Sequence, residues 1–276
     1  MDTNPLAQPQ DRDVLMAFVK HFRLSADRTP RERLRDVATA FTHLPYENLT
    51  KIIKEDQEQA AIRSRRLPAE VLADHFRAGA GGTCFSLAAT LLHLVRSLGW
   101  QAEPLLADRR YGENTHCALL VWIDGRPHLL DPGYLILDPI PLDVRSQTRI
   151  VTEFNELVLT PQTGGRRLDL ATVAQGQRKH RLTFKTEPAD PGEFLQAWDA
   201  SFDWDMMRYP VLSRVRSGRQ LYLQGGRFQV RDQQSVRREE IPGRQLAQQI
   251  AEAFDIAPAI IARALEILHR KGEPYG

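Results

Sequence analysis

The chain has 276 residues, 42% hydrophobic and 26% charged, the balance of an ordinary folded protein, which excludes disordered, collagen-like and low-complexity classes. Its 37 basic residues, only six of them lysine, stand against 35 acidic ones for a net charge of +2, so no single-sign field argues for nucleic acid. Two cysteines, Cys84 and Cys117, cannot build a disulfide framework, and a reducing compartment is the default.

Met1 to Asp13 is polar, carries Pro5 and Pro9, and lacks the apolar stretch of a signal peptide. No run approaches the ~20 apolar residues of a membrane span, so a cytoplasmic protein without a membrane partner is expected. Val14-Leu15, Phe18-Val19 and Phe22 repeat with helical spacing. Ser25 or Asp27 is read as the cap of a second helix carrying Leu34, Val37, Ala38 and Phe41, which Pro45 stops. Tyr46-Glu47-Asn48-Leu49 follows as a loop, and Lys51 to Arg66 reads as a solvated charged stretch with Arg63, Arg65 and Arg66 on an exposed face. Pro68 suits the first turn of a helix reaching about Phe76. His43 is read as structural, while His75 and His93 gain no partner from spacing.

Gly79-Ala80-Gly81-Gly82-Thr83 breaks that helix, and Cys84 to Leu98 forms the next. It is apolar on most sides, which predicts burial, with Gly99 as its cap. From Trp100 the period changes to that of strands, expected over 102–109, 116–123, 126–131, 148–159 and 180–186. Pro188 to Gly192 reads as a linker, followed by a helix over 193–201, strands over 211–216, 219–223 and 227–231, and a helix pair from Gln245 to Arg270. Trp198, Trp204, Met206 and Met207 read as core or lid packing. This order indicates an α+β fold with units 1–99, 100–190 and 191–276.

Asp124-Gly125 between two apolar runs is a strong hairpin signal. A two-residue loop there pairs residues whose numbers sum to 249, so His116, Asp131 and Gly133 project from one face. His116 and Asp131 become diagonal neighbours at roughly 7–8 Å, within reach of a histidine–carboxylate hydrogen bond. Pro132 ends the ladder near that point. Cys117 and His128 fall on the opposite face, which argues against a metal site. Cys84 follows a glycine-rich turn at a helix start, where free N–H groups and the helix dipole favour thiolate and can hold an oxyanion. A cysteine with a histidine and an aspartate from elsewhere in the chain is what a thiol nucleophile and its oriented base require. The plain alternative is a small buried cysteine beside a helix-breaking turn.

The runs Gly81-Gly82-Thr83-Cys84-Phe85, Thr115-His116, Leu130-Asp131-Pro132-Gly133-Tyr134 and Pro45-Tyr46-Glu47-Asn48-Leu49 resemble segments of the arylamine N-acetyltransferases. Leu246 to Ile256 is similar to a helix near the end of those enzymes. The resemblance is dense over 41–143 and sparse over 144–276. It implies a helical first domain, an antiparallel β-barrel and a small α/β lid. It also implies a catalytic triad of Cys84, His116 and Asp131, with Tyr46 and Tyr134 flanking the acceptor and Thr115 and Gly133 near the coenzyme. Where the family has an arginine, a glutamate and an asparagine around the nucleophile, this chain has Ala80, Ser86 and Ala88. The arginine and glutamate are absent together, as the two halves of an ion pair would be.

The expected chemistry is transfer of an acetyl or other acyl group from a thioester, through an acyl-cysteine, to an amine. Acetyl-CoA or an acyl-carrier-protein thioester would be the donor, with no permanently bound cofactor. A transglutaminase-like cysteine amidase or hydrolase, an amide synthase, and a non-catalytic relative are the competing readings.

Overall fold

The computed structural model describes residues 4–174 and 176–275; the first three residues of the polar N-terminal stretch lie outside them. Helix α1 (Asp13–Phe22) buries Leu15 and Phe18. Helix α2 (Pro30–Phe41) is capped by Thr29, not by Ser25 or Asp27: its hydroxyl accepts from Glu32 N, and the Glu32 carboxylate accepts from Thr29 N. This reciprocal box leaves the earlier Ser and Asp in the connecting turn. The expected loop contains strand β1 (Tyr46–Glu47). The stretch read as solvated folds as α3 (Leu49–Glu58) and the short α4 (Ala61–Ser64), and it buries Lys51. Helix α5 (Pro68–Ala78) ends at Gly79, whose φ of 68° turns the chain toward α6 (Cys84–Ser97). Leu87, Leu91 and Leu94 of α6 are almost wholly buried, each contributing about 1.5–3 kcal/mol of apolar burial.

Eight antiparallel strands follow: β2 (Ala102–Arg109), β3 (Gly112–Ile123), β4 (Arg126–Asp131), β5 (Ile136–Pro141), β6 (Thr148–Val151), β7 (Glu156–Pro161), β8 (Arg167–Ala174) and β9 (Gln177–Lys185). Their order is β5-β4-β3-β2-β9-β8-β7-β6, so the sheet is open and the expected barrel is not closed. β5 carries Pro139 and Pro141, which lack ladder donors and suit an edge strand. The single strand expected over 148–159 is broken by a turn in which the Thr152 hydroxyl accepts from the amides of Phe154 and Asn155.

Helix α7 (Pro191–Ala200) packs Phe194 and Trp198 against Phe85 of α6. Strands β10 (Val211–Arg216), β11 (Arg219–Gln224), β12 (Arg227–Arg231) and β13 (Val236–Glu240) join β1 in a second sheet of order β1-β10-β11-β12-β13. It packs with α8 (Gly243–Phe254) and α9 (Pro258–Arg270) around Leu212, Leu223, Ile250 and Leu268, and α3 adds Leu49 and Ile52 to that core. In the larger sheet, Cys117, Leu119 and Val121 of β3 share a core with α6, while Ala118 and Leu120 belong to the core on the other face. No helix among the described residues is long and apolar enough to cross a membrane.

Candidate active site

The β3–β4 hairpin has the predicted register, Leu119 opposite Leu130 through Ile123 opposite Arg126. Asp124 and Gly125 take φ of 51° and 71°, the left-handed pair that a two-residue turn needs to match strand twist. The register puts His116 and Asp131 on one face, and His116 Nε2 donates to Asp131 Oδ2 at 2.7 Å, with both side chains wholly buried. Asp131 Oδ1 accepts from the amides of Gly133 and Tyr134 at 2.8 and 3.0 Å, which fixes the carboxylate. β4 ends at Asp131, where Pro132 breaks the ladder.

Cys84 opens α6 after Thr83, whose side chain makes no cap; Leu87 N donates to Thr83 O. The amides of Cys84, Phe85 and Ser86 therefore precede the first helical hydrogen bond and are free for an anion. The turn before Cys84 is held close against the chain, since a Cβ on Gly81 would lie 1.8 Å from the Pro45 carbonyl oxygen. At Gly133 a Cβ would lie 2.8 Å from His116 Cε1, 3.2 Å from Asp131 Oδ1 and 3.6 Å from Cys84 Cβ. The structure thus brings Cys84, His116 and Asp131 together around that glycine.

Cys117 does not point away from the nucleophile as its strand face suggests. It lies across β3 from His116, on the face that packs against α6, so the two thiols are neighbours. Hydrogen bonding from the Cys117 thiol, then from His116, holds the Cys84 thiol well below its ordinary value, against burial. Burial and contact with Cys84 push the Cys117 thiol well up, so Cys84 is the thiol that ionises. Burial alone would lower the His116 pKa; the Asp131 carboxylate outweighs it and the imidazole is raised. With Nε2 engaged by Asp131, Nδ1 is the His116 nitrogen left for the thiol, and it accepts from Arg109 Nη2 at 3.0 Å.

Tyr134 packs edge-on to the His116 ring, 5.2 Å between centroids, and Tyr46 Oη lies 4.0 Å from Met206 Sδ. The Thr115 hydroxyl accepts from Arg109 N and donates to Gly112 O, so it braces the β2–β3 connection. Trp198 is buried against Phe85, and Met207 in the C-terminal core.

The arginines expected on a solvated face divide. Arg63 is exposed, whereas Arg65 and Arg66 are buried. Arg65 grips Asp199 through Nε and Nη2 at 2.6 and 2.5 Å. Arg66 donates to Asp74 at 2.8 Å, to Thr50 Oγ1 at 2.6 Å and to Gly81 O at 2.5 Å, and lies 3.8 Å from the wholly buried Glu47 carboxylate. Glu47 in turn accepts from Gly81 N at 3.2 Å. The glycine turn before the nucleophile is therefore clamped by a buried ion pair, although position 80 is alanine. His75, read as unpartnered, donates from Nδ1 to Ala80 O at 2.9 Å.

Two cations escaped the sequence reading. Lys51 Nζ donates to Ser201 O and Oγ at 2.7 and 2.6 Å and lies 4.4 Å from the Phe202 ring centre. Ala107 is the register partner of His116, and Arg109 follows two residues later, across a register shift that pairs it with Gly112. A register counted from the β2–β3 turn alone misses that shift and pairs His116 elsewhere.

The family described as N-acetyltransferase matches residues 32–260. Among solved structures, the arylamine N-acetyltransferase of Mycobacterium abscessus is 18% identical with a TM-score of 0.76, over 92% of this chain and 94% of that one. The Nocardia farcinica arylamine N-acetyltransferase is 21% identical with a TM-score of 0.76, over 95% and 100%. The Mycobacterium marinum arylamine N-acetyltransferase in complex with CoA is 16% identical with a TM-score of 0.73, over 93% and 98%. No curated protein sequence matches the chain.

Proposed function

The chain belongs to the arylamine N-acetyltransferase family, and from that premise we propose that Cys84 carries an acetyl group from acetyl-CoA to an amine, with His116 as base and Asp131 as its orienter. The observation that carries the assignment is the buried His116–Asp131 hydrogen bond beside a thiol at an uncapped helix start. The M. marinum relative, solved with CoA, supports a coenzyme A thioester as donor ahead of a carrier-protein thioester.

The Cys84 proton passes to Nδ1 of His116, as the lowered thiol and the raised imidazole favour, and the resulting thiolate adds to the thioester carbonyl. The oxyanion forms beside the free amides of α6, where fixed dipoles stabilise developing charge. Collapse breaks the carbon–sulfur bond to coenzyme A, whose thiolate leaves with the proton from His116. The amine then adds to the acyl-cysteine, His116 takes its proton, and Cys84 is released. Asp131 keeps the proton on Nε2 throughout, so that Nδ1 can cycle. We place Tyr46 and Tyr134 beside the acceptor, and Thr115 and Gly133 on the coenzyme side. We further propose that the unit 191–276 covers the cleft as a lid and limits hydrolysis of the acyl-enzyme.

Incubation with acetyl-CoA, followed by intact-protein mass spectrometry, tests this reading. The expected result is one acetyl adduct that an arylamine discharges and that Cys84→Ala lacks. An adduct that persists in Cys84→Ala, or coenzyme A release that proceeds equally without an amine, overturns it.

A further inference from the structure

Arg109 ends β2 without a carboxylate partner among the described residues. Its Nη2 donates to His116 Nδ1 at 3.0 Å and its Nη1 to Tyr111 Oη at 2.7 Å, while its Nε is buried with no hydrogen-bond partner. None of its hydrogen-bond partners among the described residues is a carboxylate. The contrast with three other arginines is direct: Arg65 holds Asp199, Arg66 holds Asp74 and Arg96 holds Glu103, while Arg109 is half-buried with only its Nε sealed from solvent. A guanidinium stays charged at every working pH, and charges taken out of water are as a rule paired. The group stands 5.8 Å from the Tyr134 ring centre and 6.0 Å from that of Tyr111, between two aromatic rings.

We propose that Arg109 receives a carboxylate borne by a substrate, and that it sets the enzyme's preference for anionic over neutral partners. The carboxylate is either the distal one of a dicarboxylic acyl thioester or the ring carboxylate of an aminobenzoate. The proposal rests on acyl transfer through Cys84. A carboxylate matches the guanidinium fork and outbids a neutral nitrogen as acceptor, because charge-assisted bonds are about twice as strong. Its arrival draws Nη2 off His116 Nδ1, and the freed nitrogen then accepts the proton of the thiol or of the attacking amine. An anionic substrate is thereby both held and coupled to the availability of the base.

The test compares kcat/KM for charged and neutral pairs in the full-length wild type and in Arg109→Gln. The donor arm sets malonyl-CoA and succinyl-CoA against acetyl-CoA and butyryl-CoA with aniline as acceptor. The acceptor arm sets 4-aminobenzoate against 4-aminobenzamide with acetyl-CoA. The expected result is a preference of tenfold or more for the charged partner in one arm, falling to about onefold in Arg109→Gln whatever the variant's absolute rate; the arm identifies which substrate bears the carboxylate. Absence of a preference in both arms, or an equal loss for charged and neutral substrates, overturns the proposal while leaving acyl transfer through Cys84 intact. Calorimetric titration with benzoate and benzamide reads the site without turnover. Benzoate should bind the wild type at least tenfold more tightly than benzamide does, with the difference lost in Arg109→Gln; equal binding of the two overturns the proposal even where no acyl-enzyme forms.

Discussion

Arg109 and Asp131 hold opposite nitrogens of one imidazole: Nδ1 of His116 accepts from the arginine at 3.0 Å, and Nε2 donates to the carboxylate at 2.7 Å. The two contacts demand the same tautomer, with the proton on Nε2. Asp131→Asn reverses it. The asparagine oxygen would stay with the amides of Gly133 and Tyr134, turning its NH2 toward Nε2 and driving the proton onto Nδ1, against the arginine donor. We expect the fold to survive, by circular dichroism, while the pre-steady-state acylation rate falls by about 10⁴-fold.

Gly133→Ala probes the space inside the triad. The backbone there has no positive φ, so alanine is tolerated conformationally, but its methyl would press on His116 Cε1 and Asp131 Oδ1. A displaced base of this kind costs on the order of 10²-fold in rate. Acylation kinetics should show that loss with the melting temperature little changed.

Arg66→Met removes the cation between Glu47 and Asp74 and strips donors from Thr50 and Gly81. Leaving a buried carboxylate uncompensated costs about 3–5 kcal/mol, which urea unfolding would register as a lowered midpoint with unchanged slope. Adding Glu47→Gln should recover part of the loss, because the orphaned charge is then gone.

His75 gives the fold an acid-sensitive point. Burial lowers its pKa from 6.5 to about 4, only partly offset by its bond to the Ala80 carbonyl. Between these values the unfolded chain binds the proton that the folded chain refuses, so stability rises with pH and is lost as pH falls from 6.5 toward 4. The window is worth about 3 kcal/mol at most. His75→Asn keeps an N–H for Ala80 and removes the titration; urea midpoints across this range should flatten by about one proton.

The pairing of His116 with Asp131 was legible because one turn determines it. Once Asp124-Gly125 is read as a two-residue loop, parity puts His116 and Asp131 on one face. Cys84 was marked by the glycines that start its helix. Arg65 and Arg66 were misread because a dense local charge run signals exposure, while their partners Asp199 and Glu47 lie far away in sequence. Parity gives the right face for Cys117 but not that α6, with Cys84, packs on it. Barrel closure failed at β5, whose two prolines were in plain view and favour an edge.

The two-residue strand β1 connects what the chemistry uses to what it does not. Tyr46 and Glu47 pair with Ser213 and Leu212 on one side, while on the other Glu47 N donates to Gly82 O and Gly82 N donates to Pro45 O. Asn48 adds bonds to the carbonyls of Met206 and Tyr209 and to the amide of Val211. A fragment ending at residue 200 would retain every atom of the triad yet leave this strip without its outer neighbour. The loop that presents the thiol would then have lost its scaffold on one side. The smallest working version of this enzyme therefore extends far past its last reactive side chain, and truncation is a poor route to a minimal catalyst.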